Sequence, residues 1–279
     1  MAVRIITDST CDIDREDQER MNIHVIPLTV NFPDASYEDG VDITNEEFFE
    51  KLDSYKNLPT TSSVSPQAFV DAFEEGLNAG DDIVGIFISG EISGTLQSAH
   101  MAKDMVEADN IYLVDSRNTT LALALLVIEA VKNRDEGMSA SDIAEHISSL
   151  TPKVRLMAIM NTLKNLHKGG RLGFAPALIG DAIGLKPLAS IVDGKVAAIG
   201  KAIGLPAALK LTVQKVMDEL PDMRYEFTFG HACAPELFEK LVEYMKDHLQ
   251  ITEWFQCNIG CIVGTHVGKG AIGFAYVAE

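Results

Sequence analysis

Ser89-Gly90-Glu91-Ile92-Ser93-Gly94-Thr95-Leu96-Gln97-Ser98 follows an apolar run, Ile83 to Ile88, and precedes a helical pattern from Leu96 to Val106. That order reads as a buried strand, a Gly/Ser turn and the start of a helix. Ser93 or Thr95 is placed to cap the helix, and Gly90 and Gly94 allow close approach of backbone to a ligand. The free amides and positive dipole end of such a helix favour an anion. Ser and Gly also serve wherever a strand hands over to a helix, with no ligand involved. The turn therefore gains meaning only from what surrounds it.

Working outward, strands and helices alternate. Val3 to Thr7 and Ile23 to Val30 read as strands, and Pro33 to Gly40 as an acidic surface loop. Thr44 with Glu47 forms a capping box, with Ile43 and Phe48 as a hydrophobic staple. Ser65-Pro66 opens another helix, which puts Thr60-Thr61-Ser62-Ser63 on the loop entering it. Ile111 to Val114 is a further strand, followed by helices over 119–136 and 139–150. This alternation predicts right-handed β-α-β units and a parallel sheet, with ligands beyond the carboxyl ends of strands. Ser9, Ser89 and Ser116 fall at those ends, and Ser93 lies just past one.

The character changes near residue 151. Val154 to Met160 is apolar, 161–167 reads as a short helix, and Lys168-Gly169-Gly170-Arg171 closes it. Phe174 to Val192 is rich in small and branched apolar residues that suit either a core or a cavity wall. Asp193-Gly194 signals a hairpin, and helices over 207–220 and 235–249 alternate with strands to the C-terminus. The expected architecture is α/β: an N-terminal domain, 1–152, with a parallel sheet flanked by helices, and an α+β domain, 153–279, with a mixed sheet and the ligand between them.

A net charge of −18 on 279 residues argues against nucleic acid and against tight adsorption to anionic lipid. No apolar stretch is long enough to span a bilayer, and the N-terminus lacks a signal peptide's pattern, so a cytoplasmic location is expected. Cys11, Cys233, Cys257 and Cys261 include no C-x-x-C pair and read as reduced core residues; no metal site is expected.

His266 lies in Gly264-Thr265-His266-Val267-Gly268-Lys269-Gly270, which reads as a flexible turn between strands. An imidazole there can donate to a carboxylate or accept a proton from one. Ser93 with His266 also invites a serine-dependent hydrolase, with Asp8 or Asp115 as the orienting acid. However, Gly90-Glu91-Ile92-Ser93-Gly94 does not follow the G-x-S-x-G elbow. Lys168-Gly169-Gly170-Arg171 suits a phosphate or a partner, or simply a helix C-terminus, and lacks P-loop order.

Taken in order, Thr7-Asp8-Ser9, Thr60-Thr61-Ser62 before Ser65-Pro66, Ser93-Gly94-Thr95-Leu96-Gln97-Ser98-Ala99, Asp115-Ser116, Lys168-Gly169-Gly170-Arg171, Lys186-Pro187 and Gly264-Thr265-His266 with Gly270 resemble the DegV family across nearly the whole chain. These are the fatty-acid-binding proteins that serve as the FakB-type subunit of bacterial fatty acid kinase. The resemblance implies a long-chain fatty acid buried between two domains, its carboxylate held by Thr61, Ser93 and His266. Ser62, Gly94, Thr95, Gly264 and Thr265 would support that site, and Lys168 and Arg171 would meet a partner or phosphoryl group. It further implies a carrier without catalysis of its own and without a cofactor. A separate ATP-dependent kinase would act on the carboxylate, and the acyl phosphate would enter phospholipid synthesis. Two departures stand out: Lys201-Ala202-Ile203-Gly204 where family members often carry an arginine, and Leu121-Ala122-Leu123-Ala124 where glycines are common. About 14 to 16 buried methylenes at ~0.8 kcal/mol each give a gross driving force on the order of 10 kcal/mol. The tail would then set affinity, and neutral donors would satisfy the head without burying a cation.

Overall fold

The computed structural model describes residues 2–173 and 183–279. Three sheets organise it. The first is wholly parallel, in the order β2-β1-β6-β7, from β1 (Val3–Asp8), β2 (Ile23–Ile26), β6 (Asp82–Phe87) and β7 (Ile111–Asp115). The second is mixed, in the order β10-β9-β8-β13-β11-β12. Its strands are β8 (Val154–Ile159), β9 (Leu185–Val192), β10 (Lys195–Ile203), β11 (Phe227–His231), β12 (Trp254–Asn258) and β13 (Ile272–Val277). Of its neighbouring strands, β11 and β12 run parallel and the other pairs antiparallel. The expected α/β architecture, a parallel sheet with helices and then a mixed sheet, is what the chain adopts.

The third sheet is small and antiparallel, β4-β3-β5, and it corrects three readings. Ile23 to Val30 is two strands, because Pro27 and Leu28 carry the chain from β2 to β3 (Thr29–Asn31) in a different sheet. The stretch from Pro33 to Gly40 is no bare loop, since Ser36–Glu38 forms β4 against β3. Thr60–Ser62 is strand β5, pairing Thr61 with Val30, rather than a helix-entry loop. Short, polar strands of this kind carry too little alternation to announce themselves.

Local chemistry sets three helix starts as expected. Helix α2 (Asn45–Ser54) has the full Thr44–Glu47 capping box, and α3 (Pro66–Asn78) has Ser65 as N-cap with Pro at its first position. Ser139 caps α6 (Ala140–Leu150). At α4 (Thr95–Val106) the expectation fails: Gly94 is the N-cap and no side chain caps it. The helix expected over 161–167 is only Lys164–Lys168, α7. Asp193 and Gly194 both take positive φ, 50° and 79°, in the turn that joins β9 to β10. Of the run from Phe174 to Val192, residues 174–182 lie outside the described residues and the remainder enters β9.

Helix α5 (Thr120–Asp135) lies between the two large sheets. Leu121 to Ile128 are all buried, and they share one core with Ile5, Val84 and Ile86 of the parallel sheet and Leu156, Ala275 and Val277 of the mixed sheet. That stretch is buried on every side and has no polar face, hence its uninterrupted apolar run, while Lys132 and Asp135 of the last turns are exposed. Helices α3 and α4 cover the outer face of the first sheet, while α8 (Leu205–Asp218) and α9 (Pro235–Leu249) cover the second. No helix among the described residues is long and apolar enough to cross a membrane.

Hydrogen bonds near the start of α5 are among those that join the halves. Thr228 Oγ1 donates to the Leu121 carbonyl at 2.7 Å, and Ser89 Oγ donates to the Gly194 carbonyl at 2.8 Å. Gly230 on β11 faces Leu121: a Cβ there would sit 2.5 Å from Leu121 Cδ2 and 2.8 Å from the Cys257 carbonyl oxygen. The bulk of Leu121 is thus accommodated by the missing side chain opposite. Gly230→Ala should destabilise the protein by about 1–3 kcal/mol, read as a lower urea midpoint. An unchanged midpoint would show that the α5–β11 contact has slack.

Candidate functional site

A cavity of about 320 Å³ opens where the first turn of α4, strand β5, the start of α5 and helix α10 (Cys261–Val267) meet. Its walls include Thr61, Ser62, Ser63, Ser93, Gly94, Thr119, Arg171 and His266 at the polar end. Leu28, Ile88, Ile92, Leu166, Val196, Ile262, Val263 and Val267 make the rest apolar. A smaller cavity of about 40 Å³ continues inward. It shares Thr119, Leu166, Val196, Val263 and Val267 with the first and adds Met160, Ala189 and Ile191. A polar mouth backed by an apolar recess suits an amphiphile.

Residues 205 apart in sequence meet here: Thr61 Oγ1 and His266 Nε2 lie 3.2 Å apart. His266 is on a helix, not in the flexible turn the glycines suggested. Its Nδ1 is buried without a partner among the described residues. Burial first, and the Arg171 charge second, push its pKa down to about 4, so the ring is neutral near pH 7. Gly169 makes the close approach possible, since a Cβ there would lie 2.4 Å from His266 Nδ1. Arg171 reaches the wall with its Nη1 donating to the Gly169 carbonyl at 2.7 Å. Lys168, in contrast, is exposed and does not line the cavity.

Ser93 Oγ lies 2.9 Å from Thr95 Oγ1 and accepts from Thr95 N at 3.3 Å. Thr95 is fully buried behind it and is a support rather than a wall. Ser62 Oγ accepts from Asn31 Nδ2 at 3.0 Å, which holds the oxygen in place and leaves its O–H able to donate. Gly264 and Thr265 also act from behind. Gly264 lies against Phe48 and Phe49, with no room for a Cβ, and Thr265 Oγ1 donates to the Cys261 carbonyl at 2.8 Å. Of the strand-end serines, only Ser93 faces this cavity. Ser9 accepts from Leu28 N, Ser89 binds Gly194, and Ser116 donates to the Asn118 carbonyl.

Sequence reading missed what holds α10. Asp12 Oδ1 accepts from Gly260 N and Asp39 Oδ1 from Cys261 N, each at 2.9 Å, so two buried carboxyls grip the helix whose other end carries His266. Asp8 does similar work under β6, accepting from Ile88 N at 2.8 Å. Burial raises the pKa of all three, Asp8 to about 6. Gly260 is their only local signal: a Cβ there would fall 3.0 Å from Asp39 Oδ1 and 3.1 Å from Asp12 Oδ1.

The hydrolase geometry is not assembled among the described residues. His266 Nε2 faces Thr61, its Nδ1 has no carboxylate, Asp8 is tied to Thr10 and Ile88, and Asp115 Oδ1 accepts from Arg117 N. Among the described residues, no group of three His, Cys, Asp or Glu side chains could hold a metal ion. A larger open groove of about 920 Å³, with Asp12, Asp14, Glu19, Asp39, Asp42, Glu46 and Glu47 among its lining, contains none of the predicted site residues.

The sequence pattern of the DegV family, described as a family of uncharacterised proteins, matches residues 2–279. A DegV domain-containing protein of Clostridium acetobutylicum is 35% identical over 281 residues, covering 99% of each chain. Among solved structures, a fatty-acid-binding DegV family protein from Thermus thermophilus superimposes with a TM-score of 0.90 at 29% identity, covering 100% of both chains. A stearic acid-binding protein from Eubacterium ventriosum gives 0.91 at 26% identity, covering 100% of this chain and 98% of that one. This chain belongs to the DegV family.

Proposed function

We propose that the protein binds a long-chain fatty acid between its two halves, tail in the apolar recess and carboxylate at the polar mouth. The observation that carries this is the cavity in which Thr61, Ser93, Arg171 and His266 converge and from which an apolar channel continues inward. The fatty-acid-binding relatives from Thermus thermophilus and Eubacterium ventriosum support it. The ligand is then a bound acid and not a cofactor, and residues 1–152 and 153–279 are the two domains that enclose it.

Thr61 and Ser93 supply neutral donors, and His266 Nε2 orients the Thr61 hydroxyl. Gly94, at the uncapped start of α4, adds the positive end of a helix dipole. Arg171 donates to Gly169 and leaves a guanidinium at the wall to balance the carboxylate charge. A head held this way stays available at the mouth. The reading therefore extends to a carrier, inactive alone, that presents its carboxylate to a separate ATP-dependent kinase for acyl-phosphate formation in the cytoplasm. Exposed Lys168 and the strongly exposed Ile203, on the strand that lacks the usual arginine, are then surface features such a kinase would meet.

Mass spectrometry of lipid extracted from denatured protein should return about one C14–C20 acid per chain. An empty protein with esterase turnover that vanishes in Ser93→Ala would replace the carrier with a hydrolase. Hydrogen bonds to a charged group contribute about 1.5–3 kcal/mol. Thr61→Ala, Ser93→Ala and His266→Ala should therefore each weaken acid binding about tenfold or more in calorimetry; full affinity in all three would misplace the head.

The imidazole offers a pH test. Its lowered pKa means that between about pH 6.5 and 4 the unfolded chain protonates residue 266 while the folded chain does not, so stability falls as pH falls through that window. A carboxylate beside the ring favours the charged form and should raise the value. NMR titration should place His266 near 4 in delipidated protein and higher with acid bound; an unperturbed value without ligand would contradict the burial argument.

A further inference from the structure

Thr119 and Thr120 both carry buried hydroxyls with no partner among the described residues, and of the two only Thr119 also lines the polar cavity. Its side chain belongs to a residue only 7% exposed, and Oγ1 is buried with no hydrogen bond among the described residues. It lines both the polar cavity and the apolar recess, at the junction of the two. An unsatisfied buried hydroxyl costs roughly 1–3 kcal/mol, so a residue of this type calls for a partner that arrives from the cavity.

Thr119 is also the N-cap of α5, a helix of 16 residues, yet its side chain makes no capping bond. In the same half α2, α3 and α6 are capped by Thr44, Ser65 and Ser139, while the short helix α1 (Arg15–Arg20) also lacks a side-chain cap. The uncapped starts at Gly94 and Thr119 both border the cavity. The position is fixed from behind. Ser89 N donates to the Asn118 carbonyl at 2.8 Å, Ser116 Oγ donates to the same carbonyl, and Asn118 Nδ2 donates to the Ser116 carbonyl at 2.9 Å. The hydroxyl is thus held at a pre-set place, with helix-start amides beside it and the Thr61–His266 pair lining the same cavity.

We infer that Thr119 is a further ligand for the carboxylate, its hydroxyl donating to the oxygen on the tail side while the start of α5 contributes its positive dipole end. The inference rests on the fatty-acid reading of this cavity and adds a residue that the chain's motifs did not single out. It gives the head group donors from both sides: Thr61 from β5, and Thr119 from the helix that walls the tail channel. It also predicts that affinity depends on a free carboxylate more steeply than Thr61, Ser93 and His266 alone would require.

Calorimetry with hexadecanoic acid and its methyl ester tests this on wild type, Thr119→Val, Thr119→Ser and Thr61→Ala. The shape-conserving valine should weaken acid binding about tenfold and leave ester binding within about twofold, while serine restores the acid. If valine binds the acid as wild type does while Thr61→Ala is impaired, the inference fails and the fatty-acid reading stands. Equal losses for acid and ester would make Thr119 a packing residue and also overturn it. A larger valine effect on 3-hydroxyhexadecanoic acid than on the plain acid would put its partner on the chain and overturn the inference as well. A wild-type protein that binds neither acid nor ester would sink both.

Discussion

From Leu121 to Ile128 helix α5 is buried on every side, and the rest of the molecule is arranged around that constraint. Leu121 to Ile128 touch the parallel sheet on one side and the mixed sheet on the other, so the two halves share a core across the helix. Six of these residues are large aliphatics, and burying them is favourable by on the order of 10 kcal/mol gross at ~1.5–3 kcal/mol each. A polar stripe anywhere along that run would open the interface. The same packing fixes where space is left over. Beyond the start of α5 the sheets are no longer filled by its side chains, and there the polar cavity and its apolar recess lie, with Thr119 on the wall of both.

Electrostatics at that opening is built from dipoles and one cation. Two helix starts there lack side-chain caps, the hydroxyls of Thr61, Ser62, Ser63, Ser93 and Thr119 and a neutral imidazole surround them, and Arg171 supplies the single guanidinium among the lining residues. Anionic side chains sit elsewhere: Asp12 and Asp39 are spent on the amides that open α10, and Asp8 on the amide after β6. This division gives His266 its place at one end of a short helix whose other end is anchored in buried acids. A cavity of this sign, on a chain of net charge −18, is a local exception to the protein's overall field.

Much of this was legible in the letters. Apolar runs, capping boxes, Ser-Pro and Asp-Gly announced the parallel sheet, most helices and the hairpin, because each depends on short-range chemistry. The pairing of Thr61 with His266 was legible only through the ordered set of motifs that mark the family. No local rule joins residues so far apart. The small sheet escaped because three-residue polar strands have no period to read. Helix α10 looked like a turn because Gly260, Gly264 and Gly268 serve close packing and helix ends rather than flexibility. Thr119 and the Asp12–Asp39 grip were invisible for a related reason: their roles depend on what faces them, and nothing in their neighbours announces it.

The strand-end serines carry a similar lesson. The parallel-sheet rule correctly pointed to the carboxyl ends of β1, β6 and β7, but the hydroxyls of Ser9, Ser89 and Ser116 are used to tie backbone together. Only the residue one turn further on, Ser93, reaches the cavity. A crystal structure of the protein grown with hexadecanoic acid tests the account most directly. Carboxylate density within hydrogen-bonding reach of Thr61 and Ser93, with the chain running past Thr119 toward Met160 and Ile191, is the predicted result. An acid seated in the acidic groove or on the outer surface, with the space between Thr61 and His266 holding only solvent, would contradict it.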